Sequence, residues 1–190
     1  MNEMKENKRQ KGVFLTGDYV NLTVLSEEDI HNSSWYDWFN DEETTQFMQQ
    51  HYFPNTKEKQ IEFLNALNND SSKIQLGIKD KEKNGPIIGV VSLNAIDLLN
   101  RKTEISLIIG EKEYRNVSYS IDVFRLIVNH AFNTLNLNKV WAGTLIKEWV
   151  NLVVRVLNFR QEGVLRKDTF KNGEYRDVYL YSALKEEWNG

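Results

Sequence analysis

Thr103-Glu104-Ile105-Ser106-Leu107-Ile108-Ile109 runs through Gly110-Glu111-Lys112-Glu113-Tyr114 into Arg115-Asn116-Val117-Ser118-Tyr119-Ser120, and this stretch decides the fold. Its first seven residues predict a strand. Beyond Arg115 the period changes: Ile121, Phe124, Ile127, Val128, Ala131, Phe132 and Leu135 recur at helical spacing over about four turns, the strongest helix signal in the chain. A strand feeding a polar turn and then a long apolar-striped helix is half of an α/β unit. Working towards the N-terminus, Ile87 to Ile96 and Ile74–Ile78 read as two more strands, joined by the polar turn Asp80–Pro86 as a hairpin. Before them, Thr56 caps a helix running to Leu67, with Ile61, Leu64 and Leu67 on one stripe. The domain opens at Val13 with a strand over Tyr19–Leu25. Ser26 then caps a helix that carries Ile30, Trp35, Trp38 and Phe39. Towards the C-terminus, Lys139–Leu145 is a strand, Glu148–Leu157 a helix, and Phe159–Arg166 and Tyr175–Ala183 two strands around the turn at Lys171-Asn172-Gly173. The order β-α-α-β-β-β-α-β-α-β-β makes one mixed α/β (α+β) domain, a mostly antiparallel sheet flanked by helices.

Composition narrows the chemistry. With 190 residues, 41% hydrophobic and 27% charged, the chain is long and apolar enough for one self-sufficient core. It has no cysteine, which excludes disulfides, thiolate metal sites and a cysteine nucleophile. The three histidines, His31, His51 and His130, are far apart and fit no metal-ligand spacing, so no metal is expected. The net charge of −3 disfavours nucleic acid as a partner, and no apolar run approaches the length of a membrane span. Residues 1–11 form a charged, basic leader without the apolar stretch of a signal peptide. Disorder is expected there, a domain over residues 12–188, and a cytoplasmic location.

The wording of several segments, in order, is similar to that of a known family. These are Leu15-Thr16-Gly17-Asp18-Tyr19-Val20 with Glu28-Asp29-Ile30; Trp38-Phe39-Asn40-Asp41-Glu42 with Phe53-Pro54; Arg101-Lys102-Thr103-Glu104-Ile105; Ile109-Gly110-Glu111-Lys112-Glu113-Tyr114-Arg115; Phe159-Arg160-Gln161-Glu162-Gly163; and Asn172-Gly173-Glu174-Tyr175-Arg176-Asp177-Val178 with Glu187-Trp188. Together they resemble the GCN5-related N-acetyltransferases (GNAT), in the branch of ribosomal-protein N-terminal and sugar-nucleotide amine acetyltransferases. The resemblance covers nearly the whole domain. It implies acetyl-CoA as cosubstrate and, as acceptor, the amine of a small molecule or a protein N-terminus. The fold it implies is also compatible with a homodimer.

The physical chemistry agrees. Acetyl transfer from a thioester to an amine needs no covalent intermediate, and a diphosphate needs backbone N–H donors converging at a helix N-terminus. Arg115–Ser120 stands where such a helix begins. The family pattern there is Arg/Gln-x-x-Gly-x-Gly/Ala, and this chain departs from it: Ser118 and Ser120 replace glycine or alanine, Asn116 a frequent glycine, and Val117 a frequent basic residue. Arg115, Asn116, Val117, Ser118, Tyr119 and Ser120 are the expected cofactor loop, or else the plain start of a helix capped by Ser118 or Ser120. In the second cofactor motif Lys147 occupies an asparagine position, Val154 a tyrosine or leucine position, and Asn158 a glycine position. Lys147 is either a partner for a CoA phosphate or a solvated lysine.

On the preceding strand, the resemblance implies Glu104 as the carboxylate that handles the amine proton. Burial would raise its pKa towards working pH. The other reading of Glu104 is a surface acid paired with Arg101 or Lys102. Backbone N–H groups near Leu107, Ile108 and Ile109 are expected to polarise the thioester carbonyl. Trp35, Trp38 and Phe39 are assigned to core, whereas Tyr52 and Phe53, beside Pro54, together with Tyr119, are assigned to the acceptor pocket. The alternative to an N-acetyltransferase is a protein of the same fold whose altered motifs leave it a binding or interaction module.

Overall fold

The computed structural model describes residues 12–48, 52–83 and 85–189; the leader and His51 lie outside the described residues. Fourteen principal elements follow in chain order: β1 (Val13–Thr16), β2 (Val20–Val24), α1 (Glu27–Asn32), α2 (Trp35–Trp38), α3 (Glu42–Thr45), α4 (Lys57–Asn68), β3 (Ile74–Asp80), β4 (Gly89–Asp97), β5 (Lys102–Ile109), α5 (Val117–Asn129), β6 (Lys139–Thr144), α6 (Lys147–Leu157), β7 (Arg160–Lys171) and β8 (Glu174–Leu184). The strands form one sheet in the order β1-β2-β3-β4-β5-β6-β8-β7. Every neighbouring pair is antiparallel except β5 with β6, which are parallel.

Helices cover the sheet on both faces and divide the core in two. On one face α5, the wider helical turn that continues it (His130–Thr134) and α6 pack Ile121, Phe124, Ile127, Val128, Phe132, Val150 and Val153 onto alternate residues of the strands. Burying each such side chain contributes roughly 1.5–3 kcal/mol, so α5 anchors the domain. On the other face a smaller cluster joins Ile30, Trp35, Trp38 and Leu64 to Ile87, Val90 and Ile108. Trp35 and Trp38 are core, as expected.

Two features differ from the sequence reading. The helix expected from Ser26 through Phe39 is broken into α1 and α2. The Ser33 hydroxyl donates to the Asp29 carbonyl and accepts from the Trp35 N–H, which draws the backbone out of helix at Ser33-Ser34. At the front, β1 forms a hairpin with β2 that the sequence did not announce. Its turn is held by Asp122 of α5, whose carboxylate accepts the N–H groups of Asp18 (3.1 Å), Tyr19 (2.7 Å) and Val20 (3.1 Å). A side chain at Gly17 would collide with that carboxylate: its Cβ would fall 2.4 Å from Oδ2.

Candidate active site

The one parallel pair creates the site. β5 and β6 are in register only at Lys102–Lys139, Thr103–Val140 and Glu104–Trp141, after which they diverge. Backbone polarity along β5 follows from its neighbours. The Arg101 carbonyl accepts from Asn138 and Lys139, and the Ile109 carbonyl accepts from Arg115. By the two-residue alternation of a strand, the N–H and C=O of Leu107 point the same way, towards β6, where pairing has ceased. Leu107 therefore presents an open donor and acceptor to a cleft.

That cleft is a cavity of about 1320 Å³, lined by Glu104 to Ile109 of β5, by the start of α5, and by Trp141 to Ile146 with Trp149 on the β6–α6 side. Its front wall comes from α4 and the loop around Tyr52 to Asn55, and Leu165 and Asp168 of β7 close another side. Gly110 joins the two walls. An added Cβ there would lie 2.0 Å from the Trp38 ring, so only glycine lets β5 pass the indole, whose Nε1 donates to Glu111 (3.1 Å).

The structure brings most of the expected donor-side residues to this cavity. Arg115, Asn116, Val117 and Ser120 line it with Leu107, Ile108 and Ile109. Arg115 holds the loop itself: Nε donates to the Ile109 carbonyl (3.0 Å), and Nη2 to the Gly110 carbonyl (2.8 Å) and the Thr44 hydroxyl (2.6 Å). Neither Ser118 nor Ser120 caps α5. Asn116 does, its side chain accepting from the Tyr119 N–H at 3.1 Å. The helix begins at Val117, so Ser118 and Ser120 already lie inside it and the capping position falls to Asn116. With Tyr119 capped and Ser120 bonded to the Asn116 carbonyl, helix geometry leaves the N–H groups of Val117 and Ser118 without intrahelical partners. The exposed Ser118 side chain is not part of the lining.

Two more expected site residues stand elsewhere. The Tyr119 side chain turns away from the cavity: its hydroxyl donates to Asp80 at 2.6 Å and its ring meets Tyr114 and Tyr19. The bond to the Asp80 carboxylate, with burial, pushes the phenol up to about 12. Tyr119 is thus no pocket wall, because Asp80 and the two rings draw it to the opposite side of the helix. Lys147 is exposed at the start of α6 and does not line the cavity. Tyr52 and Phe53 do line it. The Tyr52 hydroxyl reaches across to the Phe170 carbonyl (2.8 Å), and the Lys171 ammonium sits 5.5 Å from its ring centre.

Glu104 lies on the cavity floor, half-buried, and burial raises its carboxyl above the ordinary glutamate range. Among the described residues neither Arg101 nor Lys102 pairs with it; Arg101 instead bonds Asn136. The sequence reading missed Gln75, Ser92, Asn94 and Ser106, which continue the floor beside Glu104. Polar residues at positions 92 and 94, inside an otherwise apolar strand, were the available signal. It also missed Tyr181, whose hydroxyl accepts from Trp149 Nε1 (2.9 Å) at the cavity edge.

The family model described as an acetyltransferase (GNAT) domain matches residues 20–148. The chain belongs to the GNAT acetyltransferase family. Members of this family are acetyltransferases that use acetyl-CoA. YdaF of Bacillus subtilis (strain 168), which carries a ribosomal N-acetyltransferase name, is 34% identical over 107 residues, covering 56% of this chain and 58% of that protein. The chain therefore aligns with little more than half of that relative's length. An N-acetyltransferase of Bacillus licheniformis, p20, is 26% identical over 87% of this chain and 92% of its own. Among solved structures, the spermidine N-acetyltransferase of Vibrio cholerae in complex with CoA and spermine superposes with a TM-score of 0.79 at 21% identity, over 90% of this chain and 99% of that one. At that identity the superposition speaks for the fold.

Proposed function

We propose that this GNAT domain moves an acetyl group from acetyl-CoA directly to the primary amine of a small molecule. The observation that carries the reading is the divergence of β5 from β6 directly after Glu104, which sets a desolvated carboxyl beside a strand edge with unpaired backbone groups. Acetyl-CoA supplies a thioester carbonyl. The Leu107 N–H is turned into the cleft to polarise that oxygen, and the unpaired N–H groups of Val117 and Ser118, at the positive end of α5, receive the diphosphate. Glu104, ionised, accepts the proton that the attacking amine must lose. The new C–N bond replaces the C–S bond, and the departing thiolate takes its proton from solvent, since Val154 supplies none. The proposed setting is the cytoplasm, where acetyl-CoA is made.

A small acceptor is favoured over a protein N-terminus by the Tyr52–Phe170 bond, which ties the front loop to the β7–β8 hairpin across the cavity rim. The departure that would favour a non-catalytic binding module is serine in place of glycine at position 118, and its side chain stays out of the cavity. Calorimetry with acetyl-CoA tests the donor half: saturable binding is expected, and an absence of heat at hundred-micromolar protein overturns it. A free-thiol assay with Glu104→Gln tests the chemical half through the pH profile.

A further inference from the structure

The floor of the cavity carries a polar row that the reaction does not use. Gln75 of β3 faces Ser92 of β4, and Ser92 faces Ser106 of β5. Directly opposed antiparallel residues share a face, so the three side chains stand in line on the α4 side of the sheet, one pleat from Glu104 and its partner Asn94. Asn94 and Ser106 satisfy each other (3.0 Å). The other two do not. Ser92 is 7% exposed, lines the cavity, and its hydroxyl makes no hydrogen bond to any described residue. The Gln75 Oε1 is buried with no hydrogen-bond partner. An unsatisfied buried acceptor such as Gln75 Oε1 costs stability, the Ser92 hydroxyl opens on the cavity, and the neighbouring row at Val90 and Ile108 shows that apolar residues fit this face.

The charge around this row is sparse. Among the described residues three carboxylates line the cavity, Glu43, Glu104 and Asp168, against the cations Lys73 and Arg115. Glu43 is already neutralised by Lys112 (2.6 Å) and Arg115 (3.5 Å). A polycation would find Glu104 and Asp168 and meet Lys73.

Resting on the proposed acetyltransferase reading, we propose that Gln75 and Ser92 form the specificity pair of the acceptor site. They recognise a small primary amine whose body is uncharged and bears hydroxyl groups. The Gln75 side-chain amide, turned towards the cavity it lines, hydrogen-bonds one substrate hydroxyl, the Ser92 hydroxyl exchanges a hydrogen bond with a second, and the amine is left over Glu104, one pleat away.

The test uses the purified full chain, saturating acetyl-CoA and a free-thiol readout, with glucosamine, an alanine-led peptide amide and spermidine as acceptors. Glucosamine is expected to exceed spermidine and the peptide at least about tenfold in kcat/KM, the worth of one well-placed hydrogen bond. Gln75→Leu and Ser92→Ala should each raise the KM for glucosamine about tenfold while the KM for acetyl-CoA holds. Ser92→Ala removes one oxygen atom only and guards against misfolding of the other variant. Preference for spermidine or the peptide, or an unmoved acceptor KM in both variants, overturns the proposal. If calorimetry shows acetyl-CoA bound but none of the three amines is acetylated, the specificity pair falls while the donor site stands. If acetyl-CoA is not bound, both fall together.

Discussion

The two walls of the cleft are built on different principles. The donor wall is continuous: β5, a short turn and α5 follow one another without interruption, and what they offer is backbone, namely the open edge at Leu107 and the first N–H groups of the helix. The acceptor wall is assembled from α3, α4 and the loop near Tyr52, and local side-chain bonds hold it. Asn40 pairs twice with Asn55, and Asn55 bonds Gln60. A wall made of main chain tolerates changed side chains, which is why Ser118 replaces glycine without entering the cavity. A wall made of side chains is rewritten by each substitution.

Cutting the anchor of the donor wall should do the most damage. Asp122→Ala leaves three backbone N–H groups of the β1–β2 turn without their acceptor. We expect a loss of about 3 kcal/mol, read as a melting temperature lower by about 9 °C. If melting is unchanged, α5 does not hold the front hairpin.

Glu104→Gln separates chemistry from both walls. It should lower kcat about 100-fold, within the range of a lost general base, while acetyl-CoA binding holds by calorimetry. Because burial raises the Glu104 carboxyl, the wild-type rate should climb with pH through a point above the ordinary glutamate range, and the variant should lack that limb. The sign for stability is the opposite. A carboxyl whose folded-state pKa is raised binds more protons folded than unfolded, so wild-type stability declines as pH rises between the two values. At neutral pH the glutamine variant should therefore melt higher than the wild type. A lower melting point there would show that the carboxylate is structural.

The same division explains what could be read from the sequence. Ile121, Phe124, Ile127, Val128, Ala131 and Phe132 repeat at one period and are all buried, so α5 and its place after β5 were legible, and so was the meander before it. The strand that carries Glu104 was legible too, while the role given to that residue came from the family resemblance. The break at Ser33-Ser34 was not, because a hydroxyl competing for backbone bonds leaves the apolar spacing of Ile30, Trp35 and Trp38 intact. Tyr119 was misassigned for a similar reason. Its direction depends on Asp80, which is 39 residues away in sequence. Ser92 and Gln75 were passed over because a polar residue in a strand acquires meaning only once its cross-strand partners are known.

Matched caps sharpen the comparison at smaller scale. Thr56 caps α4 on the acceptor side by accepting from the Lys59 N–H (3.2 Å), and Asn116 caps α5 on the donor side. Alanine at either should cost about 1 kcal/mol of stability. Only Asn116→Ala should also raise the KM for acetyl-CoA, about threefold, since it alone frays the turn whose N–H groups face the diphosphate. Equal effects on that KM would show that the two walls are coupled rather than separate.

The smallest effect concerns the charge that Val117 lacks. Val117 is 52% exposed and lines the cavity at the first residue of α5, so a longer cationic side chain there has room and reaches towards a bound diphosphate. Such a charge is solvent-screened, which limits its worth to about 0.5 kcal/mol. Val117→Arg should therefore tighten acetyl-CoA only about twofold at low salt, and the gain should vanish at high ionic strength. The acceptor KM should stay where it was. A gain that survived high salt would mean that the arginine packs rather than pairs. A loss would mean that the first turn of α5 does not face the diphosphate, and the donor wall would have to be drawn elsewhere along β5.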